Sequence, residues 1–95
     1  MHGTISLDSI VTHSDQQVGC RVDSEVVLMS VENGEYYNLN PVASDIWEML
    51  IAPASISQIV DMAMERYTVE QDICKQDILD LVNKLISKDL VKVVG

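Results

Sequence analysis

The hydrophobic period of this chain changes from strand-like to helical at Asn40-Pro41, and that change limits the fold more than any other feature. Upstream, "EVVLMSV" (25–31) and "EYYNL" (35–39) read as strands of high β-propensity. Downstream, "NPVASDIWEMLI" places Val42, Ile46, Trp47 and Leu50 at helical spacing. Asn40 is suited to cap a helix, because its side-chain oxygen can accept a free backbone N–H. Pro41 is suited to the first helical position, where its missing N–H costs nothing. Strands followed by helices make an α+β domain.

Within the strand half, Asn33-Gly34 lies between two apolar runs and predicts a two-residue hairpin turn with positive φ at both positions. That turn would set Glu32 opposite Glu35, Val31 opposite Tyr36, Ser30 opposite Tyr37, Met29 opposite Asn38 and Leu28 opposite Leu39. One face then carries Val26, Leu28, Tyr37 and Leu39 and is assigned to the core. The other carries Val27, Met29, Val31, Tyr36 and Asn38. It is apolar enough to need a cover, either the N-terminal strand or a partner. Residues 4–13, "TISLDSIVTH", read as that N-terminal strand, and "SDQQVG" as a loop with Gly19 in a turn.

In the helical half, Ser55 would cap "SISQIVDMAMERY", with Ile56, Ile59, Val60, Ala63 and Met64 in one stripe. A long third helix is expected from Val69 or Glu70 to about Lys88, with Ile73, Cys74, Ile78, Leu81, Val82, Leu85 and Ile86 as its apolar face. Asp72 near its start and Lys84 and Lys88 near its end complement the helix dipole. "LVKVV" reads as a short extended tail. The expected fold is therefore a small three-stranded antiparallel sheet followed by three helices. It forms a single domain over residues 1–95, with the outline of a winged helix-turn-helix.

Composition narrows the function. The chain has 95 residues, 47% of them hydrophobic, with one Trp and no Phe, so its core must be mostly aliphatic. Fifteen acidic and six basic side chains give a net charge of -9, which disfavours nucleic acid and anionic lipid as partners. A peptide or protein partner remains. Cys20 and Cys74 are far apart, the N-terminus has no secretory signal, and no run approaches the ~20 apolar residues of a membrane span. A soluble protein with free thiols in a reducing cytoplasm is expected. His2, His13, Cys20 and Cys74 show no metal-ligand spacing, and neither a nucleophile motif nor a phosphate loop is present. No metal, cofactor or catalysis is implied.

The segment "VVLMSVENGEYYNLNPVASDIWEML" resembles the PqqD family: an apolar strand, a Gly turn (Gly34), a Tyr-x-Leu-Asn strand (Tyr37, Leu39, Asn40) and a helix carrying Ile46-Trp47 and Leu50. Downstream, "DILDLVNKLISKDLV" is similar to the family's last helix, with Asp89 where the family has a closing Gly. The resemblance covers about residues 20–94. It implies a peptide-recognition element that binds the leader of a ribosomally made precursor and presents it to a modifying enzyme. Free-standing members of this size resemble the lasso-peptide type, whose partners are a leader protease and a cyclase. The PQQ pathway, with a radical enzyme as partner, is the alternative.

In such a family the leader adds as an antiparallel strand to the sheet edge and lies against the third helix. Transferred onto this sequence, the leader-binding residues are Glu35, Tyr36, Tyr37, Asn38 and Leu39 on the strand. On the helix they are Cys74, Lys75, Asp77, Ile78, Leu81 and Val82, with Lys75 as a charge partner for an acidic leader residue. Glu35 would discourage self-pairing of the edge. The residues alone also permit Tyr37, Leu39, Leu81 and Trp47 as core and Asp77 as a solvated charge. Two other classes stay open: a winged-helix DNA-binding protein and a structural subunit that joins a folded partner. The open edge allows either a monomer or a strand-exchanged dimer.

Overall fold

The computed structural model describes residues 5–15 and 17–95. Thr4 of the first expected strand, His2 among the weighed metal ligands, and Gln16 of the expected loop lie outside the described residues. The elements run β1 (Ile10–His13), β2 (Gln17–Val22), β3 (Glu25–Ser30), β4 (Tyr36–Leu39), α1 (Pro41–Glu48), β5 (Ala54–Ser55), α2 (Ile56–Arg66), α3 (Gln71–Ser87) and β6 (Val91–Val93). The α+β class holds, but with two antiparallel three-stranded sheets, β2-β3-β4 and β5-β1-β6, rather than one. Among the described residues, no helix is long and apolar enough to cross a membrane.

The segment expected as a loop around Gly19 is strand β2, paired with β3 from Gln17↔Ser30 to Val22↔Glu25. Gly19 is there for a packing reason. It pairs with Leu28, and a Cβ on it would stand 2.9 Å from Leu28 Cδ2, inside contact distance. Glycine in a strand marks a close approach as often as a turn. A two-residue turn, Asp23-Ser24, joins β2 to β3, with Asp23 at φ 56°.

The β3–β4 connection is longer than Asn-Gly implies. Gly34 has φ +72°, but Asn33 is not in the left-handed region, so the two-residue turn does not form. Instead Ser30 N–H donates to the Glu35 carbonyl at 3.0 Å and Gly34 N–H to the Ser30 carbonyl at 2.8 Å, closing a four-residue loop, 31–34. Asn33 uses its side chain, whose Oδ1 accepts Glu35 N–H at 2.8 Å. The register is Val26↔Leu39, Val27↔Asn38, Leu28↔Tyr37 and Met29↔Tyr36, two residues from the expected one. A slip of two preserves the faces. Val26, Leu28 and Leu39 are buried and Tyr37 is half-buried, as the alternation requires.

The helix boundaries follow the caps. Asn40 Oδ1 accepts Ala43 N–H at 2.8 Å and Pro41 opens α1. Ser55 and Gln58 form a reciprocal capping box at the start of α2. α3 closes in a Schellman motif: Leu90 N–H donates to the Leu85 carbonyl and Asp89 N–H to the Ile86 carbonyl, both at 3.0 Å. Asp89 takes the left-handed position of that motif at φ 58°.

α1 covers the inner face of β2-β3-β4. Ile46, Trp47 and Leu50 join Val26, Leu28 and Leu39 in a core continued by Ile59, Val60 and Ala63 of α2 and by Cys74, Ile78, Val82 and Leu85 of α3. The N-terminal strand does not cover the hairpin's outer face. β1 pairs instead with β5 (Val11↔Ala54) and β6 (Val11↔Val93). It meets α1 through His13, whose ring stacks on Trp47 at 3.6 Å and whose Nε2–H donates to the Trp47 carbonyl at 2.7 Å. Burial holds the His13 pKa below its ordinary value, opposed by that carbonyl and by Glu48.

Candidate functional site

The sheet β2-β3-β4 ends at β4, and among the described residues no strand pairs with its outer side. The Ser30–Glu35 bond fixes the alternation of the ladder. Glu35, Tyr37 and Leu39 turn their backbone groups towards β3; Tyr36 and Asn38 turn theirs to the open edge. Among the described residues, the N–H and C=O of these two residues are thus left with free hydrogen-bonding capacity along one side.

The open edge faces α3 across a groove made of two adjoining cavities. The first, about 370 Å³, lies between Tyr36–Leu39 and the α3 side chains Leu81, Lys84, Leu85 and Lys88. The second, about 410 Å³, is floored by Cys74 and Ile78 and walled by Val42, Tyr67, Val69 and Ile73, with Asp77 at its rim. Asn40, Ala43 and Leu81 line both, so the two form one continuous channel. Passing from Tyr36 to Ala43 along it corresponds to passing from Lys88 back to Ile73, so β4 and α3 run in opposite senses.

Helical periodicity explains which α3 residues enter. Cys74, Asp77, Ile78, Leu81 and Leu85 recur on one side at i, i+3, i+4 spacing. Val82, expected in the groove, is one step of about 100° further round and fully buried in the core, with 0% exposure. Lys75 is displaced from Cys74 in the same way and lines neither cavity. Glu35 also stands outside the lining; it accepts a hydrogen bond from Tyr37 Oη at 3.4 Å. The other expected residues, Tyr36, Tyr37, Asn38, Leu39, Cys74, Asp77, Ile78 and Leu81, do border the groove. Cys74 and Ile78 are nearly buried at 6% and 4% exposure and form its floor, not an exposed stripe.

Sequence reading missed Val42, Tyr67, Val69, Ile73, Lys84 and Lys88 as lining residues. A signal existed for some. Val42 and Ile73 remain 51% and 53% exposed, because the apolar stripes of α1 and α3 are wider than one core can cover, and Val69, 44% exposed, stands in the connection just before α3. Lys84 and Lys88 satisfy the helix dipole, which hid their second position on the groove.

The groove supplies apolar walls, a hydrogen-bonding edge and few ionisable groups. Burial, and secondarily Asp77, pushes the Cys74 thiol above its ordinary pKa, the reverse of what a nucleophile or metal ligand needs. Tyr67 Oη donates to Asp45 Oδ2, and that bond is the main reason the Tyr67 pKa lies above its ordinary value. Asp45 also pairs with Arg21 at 3.6 Å and Arg66 at 3.4 Å, which ties β2, α1 and α2 together behind the groove. Among the described residues, no group of three or more His, Cys, Asp or Glu could hold a metal ion. Cys20 and Cys74 are both free thiols, exposed and buried respectively.

Comparison with known proteins places this arrangement. The family described as coenzyme PQQ synthesis protein D (PqqD) matches residues 25–91. The solved structure of TbiB1 in complex with the TbiA(beta) leader peptide is similar at TM-score 0.82 and 31% identity, covering 88% of this chain and 98% of that one. Lasso peptide synthetase B1 complexed with the leader peptide is similar in fold, at TM-score 0.77 and 24% identity over 86% and 96% of the two chains. No curated protein sequence matches.

Proposed function

Because this chain belongs to the PqqD family, we propose that it binds the leader segment of a ribosomally made precursor peptide, of the lasso-peptide type. The observation that carries the reading is the unpaired β4 edge facing an apolar groove on α3. The leader adds to β4 as a fourth, antiparallel strand. Backbone hydrogen bonds at Tyr36 and Asn38 supply affinity, and side chains on alternate positions enter the groove and supply selectivity. The 31%-identical TbiB1, whose complex holds a leader peptide, supports this reading.

The whole chain acts as one recognition unit in the cytoplasm, with no catalysis of its own. It delivers the precursor to a separate leader protease and cyclase. Duplex binding is disfavoured because α3 exposes Asp72, Asp77 and Asp80, which phosphate would repel.

The test is fluorescence anisotropy with a labelled leader from the precursor gene beside this one, at physiological salt. Saturable binding of micromolar or tighter affinity, lost when the leader's apolar side chains become Ala, is expected. No saturation with that leader would overturn the reading and favour a subunit that joins a folded partner.

A further inference from the structure

The six Lys and Arg of this acidic chain are not spent alike. Arg21 pairs with Glu48 at 2.9 Å and with Asp45; Arg66 pairs with Asp45, and Lys92 with Asp15 at 3.5 Å. Among the described residues, Lys75, Lys84 and Lys88 have no carboxylate within ion-pair distance, and two of these three line the β4 end of the groove. Lys88 Nζ stands 5.9 Å from the centre of the Tyr37 ring, which holds it over the strand edge. A chain of net charge -9 has fifteen carboxylates with which to neutralise six cations, yet it leaves these two open.

The neighbouring acids are turned elsewhere. Glu35 accepts the Tyr37 hydroxyl, and Asp80 accepts Gln76 Nε2 at 2.8 Å. Asp89 follows Lys88 in the helix cap, and Asp77 borders the other cavity. The groove is therefore polarised, with Asp77 and apolar side chains at one end and two lysines at the other.

Resting on the leader-binding reading, we propose that the bound peptide carries an Asp or Glu side chain between Lys84 and Lys88, C-terminal to an apolar side chain seated over Ile78. The spacing follows from geometry. Lys84 and Lys88 are six and ten residues beyond Ile78, about 9 and 15 Å along the helix axis. An extended peptide covers that in about three to five residues. The direction follows as well: a strand antiparallel to β4 runs with α3, so its C-terminal part reaches the lysines.

The experiment uses the full chain and the labelled leader of the neighbouring precursor. Wild-type binding is measured first; its absence removes both this proposal and the reading beneath it. With wild-type binding present, Lys84→Glu plus Lys88→Glu should weaken it about tenfold. The same loss should follow from replacing the one leader carboxylate three to five residues beyond the apolar anchor with its amide. Changing that carboxylate to Lys should restore binding to the double variant, which a merely structural role for the lysines would not do. Lys84→Gln plus Lys88→Gln removes two positive charges from the groove, and Lys92→Glu makes the same two-unit change of charge outside it. Unaltered affinity in both double variants, or tight binding of a leader with no carboxylate in that interval, would overturn the proposal while leaving leader binding intact.

Discussion

At the scale of single residues, two side chains do work that their neighbours cannot. Ser44 is fully buried in α1, with 0% exposure. Its hydroxyl accepts Val26 N–H at 2.8 Å and donates to the Leu39 carbonyl at 3.0 Å. It thereby closes the last rung of the β3–β4 ladder and fixes α1 to both strands. Ser44→Ala should strand two buried backbone groups and cost about 2 kcal/mol, a fall in Tm of about 10 °C for a chain of this size. A thermal melt unchanged by the substitution would mean that the bridge contributes nothing. Asp89 is the converse case. Its left-handed backbone at φ 58° is one that L-residues adopt at a cost and glycine adopts freely. Asp89→Gly should raise stability by about 1 kcal/mol and leave leader affinity unchanged, since Asp89 lines neither cavity. The same pair of melting and anisotropy measurements checks both halves of that expectation.

At the scale of elements, what could be read in the sequence is what local chemistry decides. The caps at Asn40 and Ser55, the proline at position 41 and the apolar stripe of α3 are all short-range signals, and each marks an element where it forms. β2 was not legible, because the reason for Gly19 lies across the sheet in Leu28. The β3–β4 register was displaced by two because Asn33 satisfies Glu35 N–H with its side chain instead of entering the left-handed region. The β4 edge of the groove was legible, since two-residue alternation survives that shift. Its helix side was legible only in part: periodicity puts Cys74, Ile78 and Leu81 on the groove side of α3 but cannot say how far round α3 the core ends, which turned Val82 into the core and left Lys75 outside the lining. The edge itself can be tested by substitution. Asn38 N–H points away from β3, so Asn38→Pro should spare the sheet and remove an outward donor. The variant should fold with an unchanged circular dichroism spectrum and bind leader at least tenfold more weakly; undiminished affinity would exclude strand addition at this position.

At the scale of the whole molecule, the two sheets divide the labour. The β5-β1-β6 sheet ties β1 to β6 and to the start of α2, while among the described residues β2-β3-β4 leaves its last strand unpaired beside α3. Neither sheet alone has a two-sided core. The helices between them supply it, and their excess apolar width becomes the groove. A charge of -9 discourages self-association through the free edge, and the lysines at one end of the groove give an incoming peptide a polarity. The most direct test of strand addition is amide hydrogen exchange by NMR on the isotopically labelled chain, with and without saturating leader. Tyr36 and Asn38 should become strongly protected on binding, while Tyr37, already turned towards β3, should change little. Saturating leader with no added protection at Tyr36 and Asn38 would contradict the account, because the peptide would then be held somewhere other than the β4 edge.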